Sequence, residues 1–174
     1  CIRDRYYFNA SQNYKSISFN DIRRSIPNLI IDENMKDEDG YSVDIGIRGN
    51  VKKRINFDIS TFFLSYNDRI GRIPTRGEGI DSLRTFILNT NIGDARYVGL
   101  ETFTEFDIFK IWNKDSKVSG LSLFSNITIL KTYYTNAPND IDGNKVEFAP
   151  EVNIRAGLSY RKHAFSATLQ LTYL

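Results

Sequence analysis

Apolar and polar residues alternate one by one along six stretches of this chain, and the alternation sorts charge onto a single face. Phe165, Ala167, Leu169, Leu171 and Tyr173 share one parity, while Ser166, Thr168, Gln170 and Thr172 share the other. The same division separates Ile154, Ala156, Leu158 and Tyr160 from Asn153, Arg155, Gly157 and Ser159. It recurs through Leu121–Ile129, Val98–Asp107, Ile55–Phe63 and Val43–Arg48, with a weaker first stretch over Tyr6–Tyr14. A period of two is the period of a β-strand, so seven strands are expected. Asp44, Arg48, Asp58, Glu101, Glu105 and Arg155 all take the polar parity within these stretches. A Lys or Arg at the midplane of a bilayer costs about 2–4 kcal/mol, so a lipid-facing surface should be this clean. A soluble barrel or sandwich also alternates, with its apolar face buried instead. Period alone does not separate the two.

The connections do help. Long segments over Lys15–Gly40, Asp68–Gly93 and Lys131–Pro150 take turns with shorter ones at Asn50–Lys53, Phe109–Ser119 and Arg161–His163. Every long connection therefore falls at one end of the strands, as in outer-membrane barrels with short periplasmic turns and longer outer loops. Tyr66, Tyr97, Tyr133, Tyr134, Tyr160, Tyr173 and Trp112 lie near strand ends, where interfacial girdles are expected. Leu83–Asn91 reads as a strand standing above the membrane, or else as a short helix capped by Asp81 or Ser82, from the Ile80, Leu83 and Ile87 spacing.

Composition narrows the function. The 174 residues are enough for one domain or part of a larger one. The formal charge is only +2, which is no nucleic-acid footprint. Hydrophobic residues make up 41%, and no run approaches a membrane-spanning helix. Twelve Phe and ten Tyr against one Met suit strands. Cys1 is alone, which excludes a disulfide framework. A mature lipoprotein could begin with Cys, but strand formers follow Cys1 without a linker, and Leu174 ends a strand-like run. A piece of a longer chain is expected. His163 is the only His and falls in a turn, so no His-based triad or His-rich metal site is available. Gly77-Glu78-Gly79 reads as a loop tip and Asp140-Ile141-Asp142-Gly143-Asn144 as a plain turn without the Glu of an EF-hand. Neither an enzyme nor a cofactor is expected.

Binding chemistry is better represented. Between Arg69 and Arg84 stand Arg69, Arg72, Arg76 and Arg84 against Glu78 and Asp81, a local charge of +2. Arginines over a barrel mouth would attract an anionic chelate through paired donors, although solvation or pairing with lipopolysaccharide phosphates is the plainer role. The preceding long loop is acidic, with Asp32, Glu33, Asp37, Glu38 and Asp39 against Lys36. Asp44, Arg48, Asp58, Glu101 and Arg155 are lumen-facing candidates, with Arg48 and Arg155 expected to pair with Asp58 or Glu101.

Several stretches resemble the barrels of TonB-dependent outer-membrane receptors. Pro27-Asn28-Leu29 followed by Glu38-Asp39-Gly40-Tyr41-Ser42-Val43-Asp44-Ile45-Gly46-Ile47-Arg48 is similar to a loop and strand signature of that family. Phe62-Phe63-Leu64-Ser65-Tyr66-Asn67-Asp68-Arg69-Ile70 resembles its next strand. Gly93-Asp94-Ala95-Arg96-Tyr97-Val98-Gly99-Leu100-Glu101 resembles the strand after, and Val146-Glu147-Phe148-Ala149-Pro150 a later loop-to-strand junction. Asp37, where Pro is usual, and Asp44, where Glu is usual, depart from the pattern. The likeness runs over nearly the whole chain and is greatest to receptors of the ferric-citrate and siderophore type. It implies an antiparallel up-and-down barrel of 22 strands with a plugged lumen, of which these seven are about a third. Residues 1–174 would then be a partial barrel domain, with the plug domain, the TonB box and the barrel C-terminus outside them. It further implies active transport of a ferric chelate across the outer membrane, with the chelate, outer-membrane lipid and, through the missing plug, the TonB energy-transducing complex as partners. Arg69, Arg72, Arg76, Arg84 and Arg96 become the ligand-binding candidates. A passive or adhesive outer-membrane barrel and a soluble ligand-binding β domain are the alternatives.

Overall fold

A computed structural model describes residues 4–24, 26–76, 84–112, 119–138 and 140–174. Seven strands make one antiparallel meander: β1 (Arg5–Lys15), β3 (Glu38–Val51), β4 (Ile55–Asn67), β7 (Asp94–Asp107), β8 (Ser119–Thr135), β9 (Val152–Lys162) and β10 (Phe165–Tyr173), hydrogen-bonded in that order. The expected strands are all present. A second sheet of three short strands lies among the long connections, in the order β2 (Leu29–Ile31), β6 (Thr85–Asn91), β5 (Ile70–Arg76). One helical turn, α1 (Phe19–Ile22), starts at a Ser18–Asp21 capping box. Another, α2 (Ile108–Trp112), follows β7.

Register keeps the two parities apart across the whole meander. Ile47, Ile59 and Thr102 stand in one row, and Thr102 faces Ile127, which faces Ile154. Asp44, Arg48, Asp58, Glu101 and Arg155 point to the opposite side, where Arg48 is paired directly with Asp58. The apolar face is uncovered: Ile45 is 55% exposed, Leu169 68% and Leu171 72%. In a water-soluble domain such a surface would be packed against another layer.

On the polar face, aromatic rings lie across glycines of neighbouring strands. A methyl on Gly99 would stand 2.3 Å from Cζ of Phe62, and Tyr7 and Phe124 cover Gly46 and Gly157 in the same way. Large rings can therefore lie flat on this wall without filling the space in front of it.

All three long connections leave from the same end: Lys15 pairs with Glu38, Tyr66 with Ala95, and Asp94 with Thr135. At the other end Arg54 N–H bonds Val51 C=O to close the β3–β4 turn. The final hairpin is tighter than expected, because Arg161 and Lys162 continue β9 and only His163 and Ala164 turn. The buried core also sits at the long-loop end, where Ile92, Ala95, Tyr134 and Val146 pack together with Tyr66, Tyr97 and Ile73 around them.

Two expectations change here. Residues 85–91 are the expected strand and not the alternative helix, but β6 joins the small sheet instead of extending the wall. Tyr66, Tyr97 and Tyr134 leave the expected girdle: each takes the polar parity, next to outward Ser65, Val98 and Tyr133, and turns to the inner side. Cys1, Gly77-Glu78-Gly79, Asp81 and the Ile80–Leu83 spacing lie outside the described residues.

Candidate functional site

The polar face becomes a site where it meets the long loops. Tyr66 near the end of β4 and Tyr97 of β7 touch edge to face, with ring centroids 6.1 Å apart. Tyr134 of β8 is 1% exposed and donates its hydroxyl to Glu147 at 2.7 Å. The third loop folds back to hold it: Tyr134 N–H bonds Asn144 C=O, and Val146 N–H bonds Thr132 Oγ1. Arg69, at the start of the second loop, lays its guanidinium 5.7 Å from the Tyr134 ring centre and donates to the Tyr97 hydroxyl at 2.9 Å. Its position is fixed by a pair of backbone bonds, Arg69 N–H to Gly93 C=O and Ile92 N–H to Arg69 C=O, both 2.8 Å.

Glu38, only 7% exposed, completes the wall side. Its Oε1 accepts from Lys15 Nζ at 2.7 Å and from Ile70 N–H at 3.0 Å, joining β1, β3 and β5. Tyr14, Lys15, Glu38, Tyr66, Arg69 and Tyr97 line an open cavity of about 620 Å³. Its chemistry is two cations, one carboxylate already engaged and the two phenols of Tyr66 and Tyr97, while the Tyr14 hydroxyl is taken by Asp37. That suits a ligand with both anionic groups and flat apolar surface, since aromatic faces and arginine donors act together.

The five candidate arginines separate into three places. Arg69 lines the cavity. Arg72 and Arg76 are exposed on one face of β5, on either side of Pro74, and Arg84 is exposed just before β6. Arg96 belongs elsewhere. Its parity is that of Val98 and Leu100, on the apolar face, and its guanidinium is held by Ser65 Oγ, Asn67 Oδ1 and Asp94 Oδ2 at 2.6, 3.0 and 3.0 Å. It braces the outer end of the wall and does not point to the cavity.

The lumen-facing candidates form a separate polar lining. Arg48 and Asp58 make an ion pair, Tyr7 donates to Asp58 at 2.9 Å, and Arg48 lies 5.6 Å from the Tyr7 ring centre. Asn9 donates to Asp44 at 3.1 Å. Glu101 and Arg155 stand exposed on the same face in neighbouring rows. In the outer loops the aspartates are well engaged. The Ser18 hydroxyl holds the Asp21 carboxyl below the usual aspartate range, the Thr90 hydroxyl does so for Asp32, and Tyr14 for Asp37.

The sequence reading missed the tyrosine cluster, Lys15, Glu38 and Glu147 as site residues. Parity could have found the tyrosines, because counting by twos from Val98 puts Tyr97 on the charged face. Nothing local signals Glu147, which reaches Tyr134 from a loop.

A family profile described as "TonB dependent receptor-like, beta-barrel" matches residues 5–174. No curated protein sequence matches the chain. Among solved structures, one titled "Copper transporter OprC" superposes with a TM-score of 0.67 at 16% identity, over 97% of this chain. The chain spans 23% of that structure's length. At this identity the likeness is one of fold. The apolar parity therefore faces lipid, the polar parity faces the barrel interior, and the long-loop end is the outer one. The chain belongs to the TonB-dependent receptor β-barrel family, and its seven-stranded meander is outer-membrane barrel wall.

Proposed function

We propose that this wall is part of an active-transport receptor for a ferric chelate, of the siderophore or ferric-citrate kind, energised through a plug domain and the TonB complex. The observation that carries the reading is the set of arginines at the long-loop end: Arg72 and Arg76 exposed on β5, whose first residue, Ile70, lines the same cavity as Arg69 and Lys15. A cationic rim raises the local concentration of an anionic chelate, and the phenols of the cavity offer flat contact surface. The step is capture and passage without bond chemistry. A copper cargo, named for the similar structure, is less well supported by these residues. This stretch contains one His, one Met and one Cys, whereas copper favours soft or imidazole ligands.

The test is uptake of ferric citrate by cells carrying the full receptor with Arg72, Arg76 and Arg84 changed to Gln. Uptake should fall, and the deficit should be largest at low ionic strength, where unscreened charge acts furthest. Uptake equal to that of the unaltered receptor at every salt concentration removes the arginines from the mechanism.

A further inference from the structure

The first two outer loops, residues 16–37 and 68–93, are separated in sequence by the whole β3–β4 hairpin. Two loops held only by the wall would move independently. Here they share a sheet. β2 of the first loop pairs in parallel with β6 of the second, Leu29 opposite Ile87 and Ile31 opposite Asn89. It is the single parallel pairing among the described strands, and adjoining backbone bonds extend it: Ile87 N–H to Asn28 C=O and Asp32 N–H to Asn89 C=O, each 3.0 Å.

Three consecutive side chains of β6 then grip the first loop. Asn89, 4% exposed, donates to Asp21 C=O at 2.6 Å, and Thr90 donates to the Asp32 carboxylate at 2.5 Å. Asn91 uses every polar atom of its amide. Its Oδ1 accepts from Lys36 N–H at 2.7 Å, and its Nδ2 donates to Lys36 C=O at 3.0 Å and to Asp68 C=O at 2.5 Å. One side chain thus ties both loops at the point where each returns to the wall.

The body made this way rests on the barrel at a few places. Asp37 accepts from the Tyr14 hydroxyl of β1, and its other oxygen takes the loop's own Ile17 N–H. Glu38 accepts from Ile70 N–H. The second loop leaves and re-enters through Asp68 (φ 51°) and Gly93 (φ +123°). At Gly93 a side chain would meet Ala137 at 2.7 Å in a backbone region that disfavours one.

We infer that, through β2, β5 and β6, the described parts of the first and second outer loops form a single jointed body, with Asn91 as its clasp, so that the β5 arginines are positioned by the first loop as well as by their own. Asn91 is a positioning residue: it contacts backbone of both loops and stands apart from the cavity lining. An Asp at this place keeps the shape of Asn but loses both donors, setting a carboxylate against Lys36 C=O and Asp68 C=O. The inference rests on the barrel family and is independent of the cargo.

The experiment is pulsed electron–electron resonance on the full receptor in outer-membrane vesicles, with other cysteines replaced. Spin labels at Glu33 and Arg72 report the two loops relative to each other, and a label at Lys52 in the β3–β4 turn reports each relative to the wall. The unaltered protein should give one narrow 33–72 distance, and Asn91→Asp should at least double its width while uptake of ferric citrate is left as a separate readout. If Asn91→Asp fails to assemble, Thr90→Val, which removes the Asp32 bond alone, should give a smaller broadening. A 33–72 distribution already as broad as the 33–52 one, or no broadening in an assembled variant, overturns the inference.

Discussion

The two faces of the seven-stranded wall are made from the same strands, yet they are specified to very different degrees. On the outward face, away from the loop end where Arg96 is braced, apolarity is what matters: Ile45, Leu169 and Leu171 stand uncovered, and any residue of similar character would serve. On the inward face, partners are individual. Arg48 has Asp58, Tyr7 has Asp58 and a glycine beneath it, and Tyr134 has Glu147 and Arg69. The lesson is that a bilayer selects a class of side chain, whereas a lumen selects particular neighbours.

The largest effect should come from breaking the outward rule. Ile127→Arg places a cation at mid-wall on the lipid side and should cost about 2–4 kcal/mol. Thr128→Arg, one residue along on the inner side, should change stability by no more than about 0.5 kcal/mol. Urea titration of the receptor in lipid vesicles separates the two, and equal costs would mean that the faces are not distinguished by lipid. A smaller effect tests the inward rule. Gly99→Ala forces the Phe62 ring off the wall and should cost about 1–3 kcal/mol as overpacking, while Ser125→Ala on the outward face should be nearly silent.

That asymmetry also explains what could be read from the amino acids. The wall was legible because alternation is a property of each strand by itself: seven strands, their parity and the end that bears the long loops followed without knowing any contact. For Arg48 the amino acids left Asp58 and Glu101 both open as partners, and only the strand register sets Asp58 opposite it. The small outer sheet was not legible. Leu29–Ile31 is too short to show a period, and its parallel partner lies beyond the intervening hairpin. Arg96 was assigned to ligand although its parity is that of Val98, because its charge near a loop outweighed the count by twos. Tyr66, Tyr97 and Tyr134 were assigned to a girdle by position along the strand, when the face decides which medium a ring meets. Glu147 needed the third loop's path, which no local pattern records.

The mildest effect concerns pH. Asp21, Asp32 and Asp37 are each held below the ordinary aspartate range by a hydroxyl donor, Ser18, Thr90 and Tyr14 respectively. A carboxylate whose folded pKa is depressed contributes stability above its unfolded value, and the contribution is lost as pH falls through the folded one. The joined loops should therefore keep a narrow 33–72 distance at neutral and weakly acidic pH and loosen only below the usual aspartate range. Loosening between pH 7 and 6 would point to groups other than these three.

The central claim is that one face of this wall meets lipid and the other the barrel interior, and it can be measured residue by residue. Single spin labels from Leu121 to Lys131 along β8 of the full receptor in outer-membrane vesicles would be scored for collision with oxygen, which partitions into lipid, and with a water-soluble nickel chelate. Oxygen access should peak at residues 121, 123, 125, 127 and 129 and drop at 122, 124, 126 and 128. Equal access along the strand, or a maximum at Asn126 and Thr128, would contradict the orientation and with it the assignment of the mouth.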